Sequence, residues 1–174
     1  MATGYISLDL GAALLPDNST NNAPCGMVIA KSSAAAPTPI FTQLLFDAGT
    51  QEWAYFSFQM PGDYASAPVL GYIGKMASAT SGNIILAAII AAQTGGDSAD
   101  VDAIAGDTVN TSSAIAVPAT AGYPFSGTLA LTNADSLAAG DFIVLGISRD
   151  ADNGSDTATG DLELIAASLS YTTT

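Results

Sequence analysis

Short hydrophobic runs alternate with turn signals along the whole chain. The runs span roughly 8–12 residues, a spacing typical of a β-sandwich or barrel, and are rich in Ile, Val, Leu, Phe, Tyr and Thr. Longer polar connections between some runs are typical of a jelly roll, whose strands cross between two sheets. We therefore predict an all-β fold, an antiparallel β-sandwich of the jelly-roll type. The turn signals lie at 16–18, 61–63, 81–83, 95–97, 139–141, 153–154 and 159–161.

Period-two alternation assigns residues to faces in several of these runs. In residues 51–60 one face is apolar and the other is amphipathic, as expected for a strand with one side in the core. The amphipathic face carries Trp53, Tyr55, Ser57 and Gln59. In residues 141–149 both faces are largely apolar, which predicts a strand covered on both sides. The predicted core includes Phe56, Phe58, Ile143, Leu145 and Leu164.

Residues 83–93 (NIILAAIIAAQ) carry conflicting signals. Alanine favours a helix and isoleucine favours a strand; we predict a strand because the clear neighbouring segments are strands. Such a strand is apolar on both faces, and the face turned away from the core needs a cover, such as another subunit. We predict a subunit interface at Ile85, Ile89, Trp53 and Tyr55. Ile89→Asp is accordingly expected to disrupt folding or assembly.

One domain accommodates the chain, and no internal repeat or linker divides it. Residues 40–174 are predicted to form the sandwich. Residues 1–39 are predicted to form an extended N-terminal arm with a strand and loops, which could mediate assembly. Within this arm, residues 5–10 (YISLDL) could be donated to the sheet of a neighbouring subunit.

Charge and residue types exclude several functions. The net charge is −13, and Lys31, Lys75 and Arg149 are the only basic residues, so no basic cluster can bind nucleic acid or an anionic membrane. Proteins, neutral surfaces, glycans and cations remain as partners. There is no histidine and no nucleophile-elbow motif, so we predict no catalytic residues and no enzyme. The single cysteine, Cys25, permits no intrachain disulfide.

The densest cluster of oxygen ligands lies in residues 149–156 (RDADNGSD). Asp150, Asp152, Asn153 and Asp156 predict a calcium site, the only cofactor considered, because calcium prefers hard oxygen ligands. Ligand order departs from an EF-hand, and a solvated hairpin turn is the alternative. A second set, Asp97, Asp100, Asp102 and Asp107, is loosely spaced and predicts a solvated loop or a short helix.

Three aromatic residues suggest a sugar-stacking platform. Trp53, Tyr55 and Tyr72 carry large flat rings that could contact a saccharide. The alternative is packing inside the sandwich or at a subunit interface.

An ordered series of motifs extends from residue 53 to residue 171. It comprises WAYFSFQMPGDY at 53–64, an apolar strand to Met76, ASATSGN at 77–83, SLAAGD at 136–141, RDADNG at 149–154, DLEL at 161–164 and SLSY at 168–171. This order resembles small jelly-roll structural proteins of tailed bacteriophages, over residues 40–174. The resemblance implies a virion component, commonly a homotrimer on a capsid or tail surface, with a major capsid or tail protein as partner. Because no signal peptide precedes the domain, such a protein would be made in the host cytoplasm.

Three functional hypotheses follow. The first is a non-enzymatic virion structural protein that self-associates and decorates a phage capsid or tail. The second is a filament-forming surface protein assembled by strand donation, and the third is a glycan-binding β-sandwich module. A discrete trimer would favour the first, open-ended polymers the second, and a sugar-binding monomer the third.

Overall fold

The computed structural model describes residues 2–174, which form two large antiparallel β-sheets packed face to face and one two-stranded sheet that pairs residues 83–84 with 115–116. Its strands are β1 (Thr3–Leu8), β2 (Ala23–Pro24), β3 (Gly26–Lys31), β4 (Ile40–Phe46), β5 (Glu52–Gln59), β6 (Tyr64–Met76), β7 (Asn83–Ile84), β8 (Leu86–Gln93), β9 (Asn110–Thr111), β10 (Ile115–Ala116), β11 (Phe125–Ala130), β12 (Phe142–Arg149) and β13 (Leu162–Thr173). Two single-turn 3-10 helices, Leu10–Ala12 and Val101–Ala103, complete the secondary structure. No helix within 2–174 has the length and apolar character needed to span a bilayer.

The order of strands confirms the predicted jelly roll. The first sheet runs β11-β6-β13-β4-β3, with β1 also paired to β13, and the second runs β2-β5-β12-β8-β9. From β4 onwards the chain changes sheet at almost every connection, so that β13 lies between β4 and β6, and β12 lies between β5 and β8. This is the double-sheet crossing pattern of a jelly roll. Apart from a two-residue parallel contact between β2 and β5, the two sheets are antiparallel.

The core lies between the two sheets and consists of the inward-facing residues of both. Four of the five predicted core residues are buried: Phe56, Ile143, Leu145 and Leu164. The fifth, Phe58, is half-buried and packs against the core from its edge. Alternation therefore identified the inner faces correctly, because each inner face is defined by local period-two geometry.

The strand prediction for residues 83–93 is confirmed, with one interruption. β7 ends at Ile84 and β8 begins at Leu86, and β8 then lies between β12 and β9 in the second sheet. Ladder pairing of β8 with β12 continues from Leu86↔Arg149 to Gln93↔Phe142. Pairing within a sheet thus overrides the helical preference of its four alanines.

The strand predicted within residues 1–39 is part of the sandwich in this structure, rather than an extended arm. β1 pairs with β13 of the same chain from Thr3↔Thr172 to Leu8↔Ala167. Leu8, Leu10 and Cys25 belong to the same buried core as the central strands. The expected boundary at residue 39 falls just before β4, inside the hairpin that β3 and β4 form. Of residues 5–10, the candidate donated strand, residues 5–8 therefore pair within their own chain's sheet and Leu10 begins a 3-10 helix.

Candidate functional site

The two ends of the outer face of the second sheet differ in how far other segments of the chain bury them. We call the end around Trp53, Tyr55 and Gly146 the covered end. Its outer positions are set by the cross-strand register, in which Gly146 lies opposite Tyr55 on β5 and Ile89 on β8. A Cβ at residue 146 would lie 2.7 Å from Tyr55 Cε1 and 2.8 Å from Ile89 Cγ2. Glycine at this position lets the two side chains close over the central strand.

The N-terminal segment covers Tyr55. Leu14 and Tyr55 exchange two backbone hydrogen bonds: Leu14 N donates to Tyr55 O at 2.8 Å and Tyr55 N donates to Leu14 O at 2.9 Å. The Tyr55 hydroxyl donates to Asn22 Oδ1 at 3.0 Å. The Trp53 and Tyr55 rings lie side by side with centroids 6.0 Å apart. Burial raises the pKa of the Tyr55 hydroxyl above its ordinary value.

The loop between β8 and β9 covers Ile89. Asp107 N donates to Ile90 O at 3.0 Å, and a Cβ on Gly106 would lie 2.5 Å from Ile89 Cγ1. Ile85 and Trp53 are 2% and 6% exposed, and Tyr55 and Ile89 are half-buried. The chain's own segments already bury much of these side chains, and a subunit interface at Ile85, Ile89, Trp53 and Tyr55 stays a prediction.

The structure does not bring Trp53, Tyr55 and Tyr72 together as an exposed sugar-stacking platform. Trp53 and Tyr72 are each 6% exposed, and Tyr72 belongs to the core cluster, where its ring meets Phe125 edge to face. Tyr72 packs within the sandwich, as the alternative interpretation holds, whereas Trp53 is buried on the outer face of the second sheet. Buried rings present no free face to a saccharide.

The predicted calcium ligands do not converge. Asp156 and Arg149 form a salt bridge at 2.6 Å with side chains 1% and 0% exposed, and Asp156 Oδ2 accepts a hydrogen bond from Ile85 N at 2.9 Å. Asp150 Oδ2 accepts from the Asn153 side chain at 3.2 Å, as in an ordinary turn. Among residues 2–174 no group of three or more acidic, cysteine or histidine side chains is placed to hold a metal ion. Asp156 is thus a structural ion pair partner, and calcium binding by Asp150, Asp152 and Asn153 stays a prediction.

The second acidic set organises its own loop. Asp100 caps the 3-10 helix Val101–Ala103 by accepting a hydrogen bond from Asp102 N at 3.0 Å. Asp107 Oδ1 accepts from Thr108 N. Asp97, Asp100, Asp102 and Asp107 are all exposed, in agreement with a solvated loop.

The other end of the same face is open, and we call its depression the open cleft. Its volume is about 380 Å³, within the range of small-ligand sites. Phe142 is 40% exposed at its centre. The register places Gln59 of β5 and Gln93 of β8 directly on either side of Phe142. The cleft is lined by Gln59, Gln93, Thr94, Gly95, Gly96, Asp97, Val101, Gly140 and Phe142.

Both glutamine side chains are held by backbone carbonyls. Gln59 Nε2 donates to Gly140 O at 3.0 Å, and Gln93 Nε2 donates to Ala99 O at 2.8 Å. Fixing each amide nitrogen leaves its Oε1 atom available to accept a hydrogen bond from a ligand. The cleft therefore presents an aromatic ring between two oriented amide groups.

A buried carboxylate fixes the wall of the open cleft. Asp141 is 2% exposed; its Oδ1 accepts from Thr94 Oγ1 at 2.8 Å and its Oδ2 accepts from Ala138 N at 2.7 Å. These bonds join the end of β8 to the start of β12. Gly96, at a φ of +97°, turns the chain two residues after Thr94. The wall is thus set by the fold before any ligand arrives.

Sequence reasoning missed the open cleft although its residues were assigned to the correct kind of element. Alternation placed Gln59 at the end of an amphipathic face, and it placed Phe142 on an apolar strand. What it lacked was the register that brings Gln59, Phe142 and Gln93 into one row. An aromatic residue flanked by glutamines at three strand ends was the available signal.

Comparisons with known proteins find only weak structural similarity. Neither a family model nor a curated protein matches the chain. Among solved structures, the C-terminal CBM6 of a laminarinase from Zobellia galactanivorans shares 11% identity at a TM-score of 0.40, covering 95% of this chain and 98% of that one. A CBM6 of Cellvibrio mixtus lichenase 5A, in complex with cellotriose, shares 13% identity at 0.42, covering 96% and 97%. The CBM22-1 xylan-binding domain of Paenibacillus barcinonensis Xyn10C shares 14% identity at a TM-score of 0.43, covering 97% of this chain and 94% of that one.

Likeness of this degree does not indicate what the chain binds. The strand pairings of the chain itself define the class: an all-β jelly-roll sandwich with a preformed open cleft at one end of its second sheet.

Proposed function

We propose that the protein is a non-catalytic glycan-binding module that holds a neutral saccharide in the open cleft. The observation that carries the proposal is the row Gln59–Phe142–Gln93, an exposed ring with an amide group on each side. Pyranose rings have apolar C–H faces and hydroxyl edges, so a ring-and-amide site matches both parts of the ligand.

Each cleft residue has a distinct role in this proposal. Phe142 packs against the apolar face of one sugar ring. Gln59 and Gln93 accept hydrogen bonds from hydroxyls on its two edges through their Oε1 atoms. Asp97, on the wall, offers a further acceptor. The net charge of −13 disfavours uronic acids and sulfated sugars, so the ligand class is neutral.

Binding without catalysis fits the chemistry of the cleft. Glycoside hydrolysis ordinarily uses two carboxyl groups on either side of the scissile bond. The cleft lining contributes one carboxylate, Asp97. Asp141 lies beneath the wall with both oxygen atoms engaged in hydrogen bonds.

Affinity electrophoresis in gels that contain neutral β-glucan, xylan or mannan tests the proposal. The wild-type protein is expected to be retarded in at least one gel. Phe142→Ala is expected to weaken binding about 10-fold, since loss of a stacked ring together with its buried area costs about 1.4 kcal/mol. Gln59→Ala is expected to weaken binding by a smaller factor, because it removes one neutral hydrogen bond.

The matched control is Tyr5→Ala, which removes a 72% exposed ring from β1 on the other sheet. This variant is expected to bind like the wild type. Binding that survives in Phe142→Ala and disappears in Tyr5→Ala would contradict a site in the open cleft. The absence of retardation in every neutral glycan would contradict glycan binding.

A virion structural role is a second proposal, and one observation favours it. The sequence resemblance led us to expect a self-associating component of a phage capsid or tail. The β3–β4 hairpin exposes four large apolar residues, as an assembly surface would. A glycan-binding module on a virion surface would combine both roles.

A further inference from the structure

The β3–β4 hairpin extends beyond the cover of the second sheet. Along β3, Val28 is 40% exposed and Ile29 is 75% exposed, and along β4, Ile40 is 67% and Phe41 is 39% exposed. Neighbouring residues of a strand point to opposite faces, so the hairpin is apolar and uncovered on both faces. We call these four residues and the strand segments that carry them the apolar ribbon.

The ribbon ends in an open sheet edge. Within residues 2–174, β3 pairs only with β4, and its other side forms the edge of the six-stranded sheet. An edge strand presents unpaired N–H and C=O groups that can pair with another strand. Proteins usually block such edges with charges, proline or bulges. β3 (GMVIAK) carries none of these before Lys31 at its end.

Charge distribution makes this edge a surface through which two copies of the chain can meet. Lys31 is the only charged residue between Cys25 and Phe46, in a chain with a net charge of −13. Two copies of this chain repel each other through most of their surfaces. The ribbon strands themselves carry no acidic residue, so contact through them pairs no carboxylates of β3 or β4 and buries the apolar residues of both copies.

We propose that two copies of the chain associate through β3, which pairs antiparallel with β3 of the second copy and joins the two six-stranded sheets. A two-fold axis perpendicular to the sheet keeps corresponding faces together, so Val28 lies opposite Val28 of the second copy or Ile29 opposite its Ile29. The contact is isologous and closes at a dimer. This inference is independent of the proposed glycan binding.

Sedimentation velocity of the purified chain at increasing concentration tests the proposal. A dimer is expected at roughly 100 μM, where a contact of micromolar Kd is largely saturated. Added salt is expected to favour the dimer, because it screens the repulsion between acidic chains. Ile29→Lys is expected to abolish the dimer, while Ile73→Lys, at a 41% exposed position on β6, is expected to leave it intact.

A crosslink distinguishes this geometry from other dimers. The variants Cys25→Ser/Val28→Cys and Cys25→Ser/Ile29→Cys each place one thiol on the open edge, and the one whose new residue lies opposite itself is expected to form a disulfide-linked dimer on oxidation. Cys25→Ser/Ile73→Cys is the control and is expected to stay uncrosslinked. A wild-type monomer at every concentration, a trimer, or a dimer unaffected by Ile29→Lys would overturn the proposal. Glycan retardation of monomeric Ile29→Lys then reports separately on the open cleft.

Discussion

The two ends of the outer face of the second sheet differ in what lies on them. At the covered end, Tyr55 and Ile89 lie on either side of Gly146, with the N-terminal segment bonded to Tyr55 and the β8–β9 loop against Ile89. At the open end, Phe142 lies on the same central strand, β12, and its side chain is 40% exposed. Both ends belong to the same three strands, so strand identity does not decide which surface is available to a ligand. Connecting segments decide it.

The comparison separates two kinds of apolar surface. An apolar outer face covered by the chain itself contributes to stability, whereas an uncovered one is available for binding. Changes at the covered end should therefore alter the free energy of unfolding, and changes at the open end should alter ligand binding. The following predictions test this separation, with unfolding in urea followed by the fluorescence of Trp53, the single tryptophan.

The largest effect is expected for Asp156→Ala, at the base of the covered end. Asp156 holds the buried Arg149 guanidinium and accepts a hydrogen bond from Ile85 N. Its removal leaves a buried, unpaired arginine, which costs about 3–5 kcal/mol in the free energy of unfolding. The control is Asp152→Ala, at an exposed position of the same loop, with an expected change within about 0.5 kcal/mol.

Equal stability of the two variants would show that the Arg149–Asp156 pair does not support this end of the fold. The pair also separates two interpretations of the acidic loop. If the loop served calcium, both variants would reduce the stabilisation gained from added calcium; if it serves the ion pair alone, calcium should have no effect on either.

A smaller effect is expected for Gly146→Ala. The new Cβ would stand 2.7 Å from Tyr55 and 2.8 Å from Ile89, so both covering side chains must move. Overpacking of this kind costs about 1–3 kcal/mol. Ser57→Ala, at an exposed position between the two ends on β5, is the control and should change stability by less than about 0.5 kcal/mol. An unchanged stability in Gly146→Ala would mean that the cover over the central strand is loose.

The sequence was sufficient to predict the fold because local patterns determine strands and their inner faces. Alternation in residues 51–60 and the turn at 139–141 placed Phe56, Ile143 and Leu145 in the core correctly. It was not sufficient for the outer faces. Gly106 lies against Ile89, and Tyr55 is hydrogen-bonded to Leu14 and Asn22. Each of these partners is distant in sequence from the residue it contacts. Nothing in a single strand encodes these contacts.

The same limit applies to the candidate site. Asp156 was grouped with its neighbours as a calcium ligand because the spacing of the four residues suggested a site. Its actual partner, Arg149, was the first residue of the same motif, and burial of the pair could not be deduced without the tertiary structure. The open cleft was missed because it depends on register across three strands.

Ile89→Ala and Phe142→Ala form a matched pair across the two ends. Ile89 contacts the β8–β9 loop, so its truncation should lower the free energy of unfolding by about 1–2 kcal/mol. The loss is smaller than for a fully buried core isoleucine because Ile89 is half-buried. Phe142→Ala should change stability by less than about 1 kcal/mol, as expected at an exposed site. Glycan retardation in affinity gels should show the opposite order. A variant that lowers both the free energy of unfolding and the glycan retardation to the same degree would contradict the division between a stabilising end and a binding end.

The smallest effect is expected at Cys25, which lies beneath the covered end with its N–H donating to Trp53 O at 3.1 Å. Burial, reinforced by the negative charge of Glu52, raises the pKa of its thiol to about 12. Because the thiolate is the reactive form, Cys25 should resist alkylation by iodoacetamide at pH 8 in the folded protein and react readily in urea. A cysteine placed at the exposed Ser57 position in a Cys25→Ser background should react at the rate of an ordinary thiol. Rapid alkylation of native Cys25 would mean that the covered end opens under native conditions, and the distinction between the two ends would then be one of degree.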